Sequence, residues 1–112
     1  MARHWIKIYV RTGRALASVL SDREWAALTR LALYTRYRDT TIRLESGHPA
    51  RLSDIARIIH KGTRQTHEII AALIAHGALE RVRCGRGYAY RVAESFAYRG
   101  NDRRRGDRHA TP

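Results

Sequence analysis

Apolar residues recur at helical spacing in the centre of the chain, in two segments separated by a short polar break. The first segment, Leu52 to Ile59, is short and amphipathic, and Asp54 stands where a carboxylate can cap backbone N–H groups. The second, Arg64 to His76, repeats at the i, i+3, i+4, i+7 and i+8 positions that build one helix face. That face is predicted to comprise Thr66, Ile69, Ile70, Leu73 and Ile74. The pattern predicts two helices joined by the four-residue turn 60–63, with Gly77 ending the second in a left-handed conformation.

Two segments after Gly77 alternate in the manner of β-strands. Residues 78–84 and 88–92 flank the predicted turn Gly85-Arg86-Gly87, in which both glycines can adopt positive φ. Arg86 would then lie at the tip of a hairpin. Two helices around a tight turn, followed by a basic hairpin, follow the winged helix-turn-helix plan. We therefore expect an α+β fold, mainly α with a small antiparallel sheet.

The residue pattern of the amino-terminal half predicts a strand, a long helix and a further short strand. Residues His4 to Val10 alternate and predict a strand or an extended arm. Ser21 and Glu24 form a capping box, so a helix is expected to begin there and to extend to about Tyr37. Its inner stripe is predicted to contain Trp25, Leu28, Leu31 and Ala32. A strand at 41–44 would be the third member of the hairpin sheet.

The charge of the chain indicates the class of its partner. The 112 residues contain 22 Lys and Arg against 10 Asp and Glu, a net charge of +12, and this excess favours a polyanion. The length predicts one domain over residues 1–100, followed by a basic tail, 101–112, that is expected to be disordered. The single cysteine excludes an internal disulfide and fits a reducing compartment. No apolar run approaches the roughly 18 residues of a membrane span, so we expect no membrane partner and a cytoplasmic, nucleoid-associated location.

Catalytic and metal-binding patterns are poor. The six histidines form no metal-ligand spacing, and the chain has no cysteine pair and no phosphate-binding loop motif. Cys84, in a predicted strand, is interpreted as a small core residue rather than a nucleophile. We therefore expect no enzymatic activity, no cofactor and no metal.

The second central helix is predicted to be a recognition helix for double-stranded DNA, because the amino terminus of such a helix usually enters the major groove. The predicted contacts are Thr63, Arg64, Gln65, His67 and Glu68. The wing contacts would be Arg81, Arg83, Arg86 and Arg91, and further phosphate contacts would be Lys61, Arg103, Arg104 and Arg105. The alternatives are a surface ion pair between Arg64 and Glu68, and hairpin arginines that serve only solubility.

Two elements carry apolar residues on both faces, and this predicts a homodimer. The interface would contain Trp5 and Tyr9 of the amino-terminal strand together with Leu33 and Tyr37 of the long helix. The alternative is that the strand covers the outer face of that helix within one monomer.

The order of elements from Trp5 to Gly100 resembles that of the RepL-type replication proteins of plasmids and phages. The resemblance lies in the opening strand, in the wing ending Tyr90-Arg91-Val92, and in the apolar-aromatic stretch ending Tyr98-Arg99-Gly100. MarR-like bacterial repressors are equally similar over Leu52 to Val92. Both resemblances imply duplex DNA binding, either in replication or regulation of a mobile element or in autoregulatory repression. A basic RNA-binding module is the remaining alternative, with Tyr88 and Tyr90 as a stacking platform.

Overall fold

A computed structural model describes residues 6–100. Trp5, Arg103, Arg104, Arg105 and the expected tail lie outside the described residues. The elements are β1 (Lys7–Ile8), α1 (Val10–Val19), α2 (Asp22–Ala32), α3 (Leu52–Ile59), α4 (Thr63–Ala75), β2 (Leu79–Cys84), β3 (Gly87–Val92) and β4 (Ala97–Tyr98). Over this part of the chain, the fold is α+β, with four helices and two small antiparallel sheets that pair β1 with β4 and β2 with β3.

The two central helices form where the apolar spacing predicts them. α3 has the expected bounds, and α4 begins and ends one residue earlier than expected. The predicted inner face of α4 is buried except at Ile74, which is half-buried. The carboxylate of Asp54 accepts a hydrogen bond of 2.9 Å from the backbone N–H of Arg51, at the start of α3. His60 and Gly77 adopt positive φ, 59° and 76°, at the ends of the two helices.

The hairpin has a shorter turn than the sequence suggests. Cys84 lies opposite Gly87, so only Gly85 and Arg86 form the turn, and Gly85 alone has a positive φ, of 60°. The assignment of Gly87 to the turn is wrong, because Gly87 is the first residue of β3. Cys84 ends β2 and is exposed, so its interpretation as a core residue is also wrong.

The segment 40–42 lies along the free edge of β3, where the sequence predicts a third strand, but no strand forms over residues 41–44. The backbone N–H of Ile42 donates to the carbonyl of Tyr90 at 2.8 Å, and Val92 donates to the carbonyl of Thr40 at 2.9 Å. The pairing is limited to a single bridge, between Thr41 and Arg91. It holds the loop between α2 and α3 against the hairpin.

The amino-terminal strand is much shorter than predicted. Only Lys7 and Ile8 pair with β4, and Val10 already begins α1, a helix that the sequence analysis missed. Ile8 and Val10 are 46% and 65% exposed, so the apolar side expected of a longer strand does not form.

α2 begins at the predicted capping box but ends at Ala32, well before Tyr37. Its last turn tightens, because the backbone N–H groups of Leu33, Tyr34 and Thr35 each bond to a carbonyl three residues back. The Thr35 hydroxyl also donates to the carbonyl of Ala32 at 2.8 Å. Leu33 and Tyr37 are exposed, but they lie at and beyond the end of the helix rather than on its outer face.

The core lies between α2, α3 and α4 and is closed by residues that follow the hairpin. Leu28, Ile55 and Leu73 have no exposed surface, and neither does Phe96. Trp25 packs edge to face on Phe96, with ring centroids 5.7 Å apart. This contact joins α2 to the segment that follows the hairpin, and the outer face of α4 lies beside the hairpin.

Candidate nucleic-acid interface

The first turns of α4 present polar side chains to solvent. All five predicted recognition residues, Thr63, Arg64, Gln65, His67 and Glu68, are exposed. Thr66 is buried, and its hydroxyl donates to the carbonyl of Gly62 at 2.8 Å, which fixes the start of the helix on the core. Among the described residues, no ion pair joins Arg64 to Glu68, so both side chains are available to a partner.

One face of the hairpin carries two arginines around a tyrosine. Arg83 lies opposite Tyr88 in the strand register, and Arg81 lies two residues along on the same face. Their guanidinium carbons are 4.6 Å (Arg81) and 5.8 Å (Arg83) from the centre of the Tyr88 ring. At these distances the ring quadrupole attracts both cations. We call Arg81, Arg83 and Tyr88 the arginine–tyrosine cluster.

The arginine–tyrosine cluster lies on the side of the hairpin that faces α4. A crevice of about 360 Å³ separates the two elements, with Arg81 on the hairpin side and His67, Ala71 and Ala75 on the α4 side. Leu52, the first residue of α3, also lines it. The small alanine side chains leave the α4 wall of the crevice without bulk, and both Ala71 and Ala75 are exposed.

The remaining hairpin arginines are placed differently. Arg86 is exposed at the tip, in the two-residue turn. Arg91 lies on the opposite face from the arginine–tyrosine cluster and donates to the Glu80 carboxylate at 2.8 Å. The structure therefore does not bring Arg91 together with Arg81 and Arg83. Lys61 is exposed in the turn that precedes α4.

Two side chains near this site were not among the predicted contacts. Tyr88 is 43% exposed and organises the two arginines. Arg51, at the start of α3, extends toward the hairpin, so that a Cβ atom at Gly87 would lie 3.6 Å from its Nη1. The position of Arg51 depends on tertiary packing, whereas Tyr88 could be placed from the register of a two-residue turn.

The described residues contain no group of three or more His, Cys, Asp or Glu side chains that could hold a metal ion. No helix within residues 6–100 is long and apolar enough to cross a membrane. Within residues 6–100, the pKa of Asp39 is the one that is clearly perturbed. Burial raises it, but hydrogen bonds from Arg43 and Thr41 and the nearby Arg43 charge outweigh burial and hold it below its usual range.

Neither protein-family models, curated proteins nor solved structures show a significant match to this chain.

Proposed function

We propose that the protein is a sequence-specific double-stranded DNA-binding protein of the winged helix-turn-helix type. In this proposal α3, the turn 60–62 and α4 form the helix-turn-helix, and the β2–β3 hairpin is the wing. The observation that carries it is the position of Arg81 of the arginine–tyrosine cluster, which lies across one crevice from His67, Ala71 and Ala75 of α4. The exposed side chains of Arg64 and Gln65 extend from the amino-terminal turn of the same helix.

α4 would enter the major groove by its amino-terminal turns. Arg64 suits the O6 and N7 atoms of guanine, and Gln65 suits the N6 and N7 atoms of adenine. Both side chains are exposed on a helix whose opposite side is anchored in the core. Ala71 and Ala75 continue the exposed face with little bulk, so the helix can approach the base edges closely.

The wing would contact the sugar-phosphate backbone beside the groove. Arg81 and Arg83 are held on the side of α4, and Arg86 extends the charge to the tip. Stacking on Tyr88 restricts the two arginines before any partner arrives, and preorganised side chains lose less entropy on binding. The net charge of +12 supports a partner with dense negative charge.

The proposal covers the two biological roles suggested by the sequence, replication or regulation of a mobile element and autoregulatory repression. Both require the same contacts with duplex DNA. The position of the preferred duplex separates them, since a repressor would bind its own promoter and an initiator would bind a replication origin.

A selection from random 30-base-pair duplexes, followed by fluorescence anisotropy, tests the proposal. A specific binder should prefer the selected duplex over a scrambled one by at least about 10³-fold at physiological salt. The same sequence as single-stranded RNA is the control ligand. Equal affinity for all duplexes, or tighter binding to the RNA, would overturn the proposal.

We also propose that the protein binds as a homodimer through the surface that follows α2. Leu33 and Tyr37 of the expected interface are 60% and 41% exposed, and the neighbouring Tyr34 is 41% exposed. Tyr9 is half-buried next to α1. A two-fold dimer would present two copies of α4 to half-sites about 34 Å apart, or a multiple of that distance.

A further inference from the structure

A second groove lies between α2 and the turn that precedes α4. It has a volume of about 400 Å³, and Arg23 and Arg30 of α2 line one wall. The other wall is formed by the end of α3 and the turn, namely Ile59, His60 and Lys61. None of the contacts predicted from the sequence, apart from Lys61, belongs to this groove.

The charge of the groove is strongly positive. Arg23 and Arg30 are seven residues apart, which places them two turns apart on the same face of α2. Both are exposed, and neither forms an ion pair with another described residue. With Lys61 they contribute three positive charges, against the one carboxylate that lines the groove, that of Asp22. Such a groove suits an anion with several acceptor oxygens.

The position of the groove relative to the wing is set by α3. Leu52, the first residue of α3, lines the crevice beside the wing, and Ile59, the last residue, lines the second groove. An eight-residue α-helix is about 12 Å long, at 1.5 Å per residue. The major groove of B-form DNA is also about 12 Å wide. The two cationic sites therefore lie at opposite ends of α3, a helix about as long as the major groove is wide.

We propose that the groove between α2 and the turn binds backbone phosphates on the side of the major groove opposite the wing. This inference rests on the proposed function and adds Arg23 and Arg30 to the DNA contacts. With α4 in the groove, the wing would hold one strand, while Arg23, Arg30 and Lys61 would hold the other. Each arginine can donate two parallel hydrogen bonds to a phosphate, which Lys61 cannot do.

The test compares two double variants of equal charge. Arg23→Ala with Arg30→Ala removes two charges from the groove, and Arg11→Ala with Arg14→Ala removes two exposed charges from α1. Affinity for a 30-base-pair duplex is measured from 50 to 200 mM salt. Each lost phosphate contact lowers the slope of log K against log salt by about 0.9, so the groove variant should lose about 1.8 and the α1 variant almost nothing. Circular dichroism confirms that both variants are folded.

A variant with Arg81→Ala and Arg83→Ala separates the failure of this inference from the failure of the proposed function. If the wing variant loses slope while the groove variant matches the α1 control, the inference is wrong and the DNA-binding proposal stands. If the wild-type protein shows no salt-dependent duplex binding, both are wrong.

Replacing individual backbone phosphates of the duplex by uncharged methylphosphonates then shows where the protein contacts the backbone. Methylphosphonate substitution should weaken binding at two clusters, one on each strand across a single major groove. A single cluster that the groove variant leaves unchanged would contradict the inference. NMR titrations provide a second check on the side chains of Arg23 and Arg30. If their signals shift with inorganic phosphate but not with the duplex, the groove is a site for a free anion and the inference is wrong.

Discussion

The two faces of the hairpin provide a matched pair of substitutions that tests the wing directly. Arg83→Ala removes one exposed charge from the arginine–tyrosine cluster, and Arg91→Ala removes one exposed charge from the opposite face, where it is paired with Glu80. Arg83 lies in β2 and Arg91 in β3 of the same hairpin, so losing either charge should have a similar long-range electrostatic effect on the binding of the duplex. Only Arg83 is on the side that faces α4.

The magnitude follows from counterion release. One phosphate contact contributes about 0.9 to the slope of log K against log salt. Between about 50 and 200 mM salt, a fourfold change, the wild-type affinity should therefore fall about 3.5-fold more than that of the Arg83→Ala variant. The slope for Arg91→Ala should equal that of the wild type. Anisotropy titrations with one duplex at four salt concentrations measure all three slopes.

Tyr88→Leu provides a third arm, because it keeps both charges but removes the aromatic ring. Cation–π contacts at exposed sites contribute about 0.5–1 kcal/mol, so the affinity should fall about two- to fivefold with the slope unchanged. If Arg83→Ala and Arg91→Ala have equal effects on the slope, the wing does not contact DNA through the arginine–tyrosine cluster. If Tyr88→Leu leaves the affinity unchanged, the ring does not position the arginines for their contacts.

Four further predictions concern other parts of the molecule. Arg64→Ala should cost about 1–3 kcal/mol on the selected duplex and relax preference at one base pair; an equal loss on scrambled DNA would make Arg64 a phosphate contact. Leu28→Ala, at a side chain with no exposed surface, should lower the free energy of unfolding in urea by about 2–5 kcal/mol, and a loss below about 1 kcal/mol would contradict the core described above. Because the pKa of Asp39 is lowered in the fold, its carboxylate stabilises the protein above the unfolded pKa, and this stabilisation is lost as the pH falls through the folded pKa. In thermal melts, Asp39→Asn should therefore reduce the dependence of stability on pH below about pH 4. A variant with the same pH dependence as the wild type would contradict the lowered pKa. Leu33→Ser with Tyr37→Ser should convert a light-scattering mass of two chains to one, and a wild-type mass of one chain would rule out the dimer.

Elements with strong local signals were predictable from the sequence. α3 and α4 were found because their apolar residues keep a helical period and their ends carry residues suited to caps. The capping box of Ser21 and Glu24 fixed the start of α2, and both of its hydrogen bonds form, at 2.9 and 3.1 Å. The end of α2 was not predictable in the same way, because the residues after Ala32 keep apolar character while their backbone turns away.

The sequence does not predict α1, because the helical pattern of its apolar residues is weak and follows a stretch that alternates like a strand. Tyr9 precedes the helix without a side-chain cap, and Gly13 lowers its helix propensity. The buried positions, Gly13, Leu16 and Leu20, do keep a helical spacing, but three positions are too few to outweigh the preceding alternation.

The assignment of Gly87 to the turn had the largest effect on the candidate site. A three-residue turn would place Arg91 opposite Arg81 and group it with the wing contacts. In the two-residue turn, Tyr88 lies opposite Arg83, and Arg91 faces away. Because strand side chains alternate with a period of two, one residue of register moves a side chain to the other face. Which arginines share a face with Tyr88, and so belong to the proposed wing, thus depends on the placement of Gly87.

The groove beside α2 shows why a proposed contact surface can remain hidden in a sequence that predicts the neighbouring helices well. Arg23 and Arg30 lie away from the apolar stripe of α2, where charged residues are expected simply because that face meets water. What distinguishes them is the end of α3, which packs beside them and adds Lys61 across the groove. That juxtaposition joins residues more than thirty positions apart and depends on the burial of Ile59 against the core. Local patterns identify the helices, but which charged side chains meet at the two ends of α3 depends on how α2 and the hairpin pack against that helix.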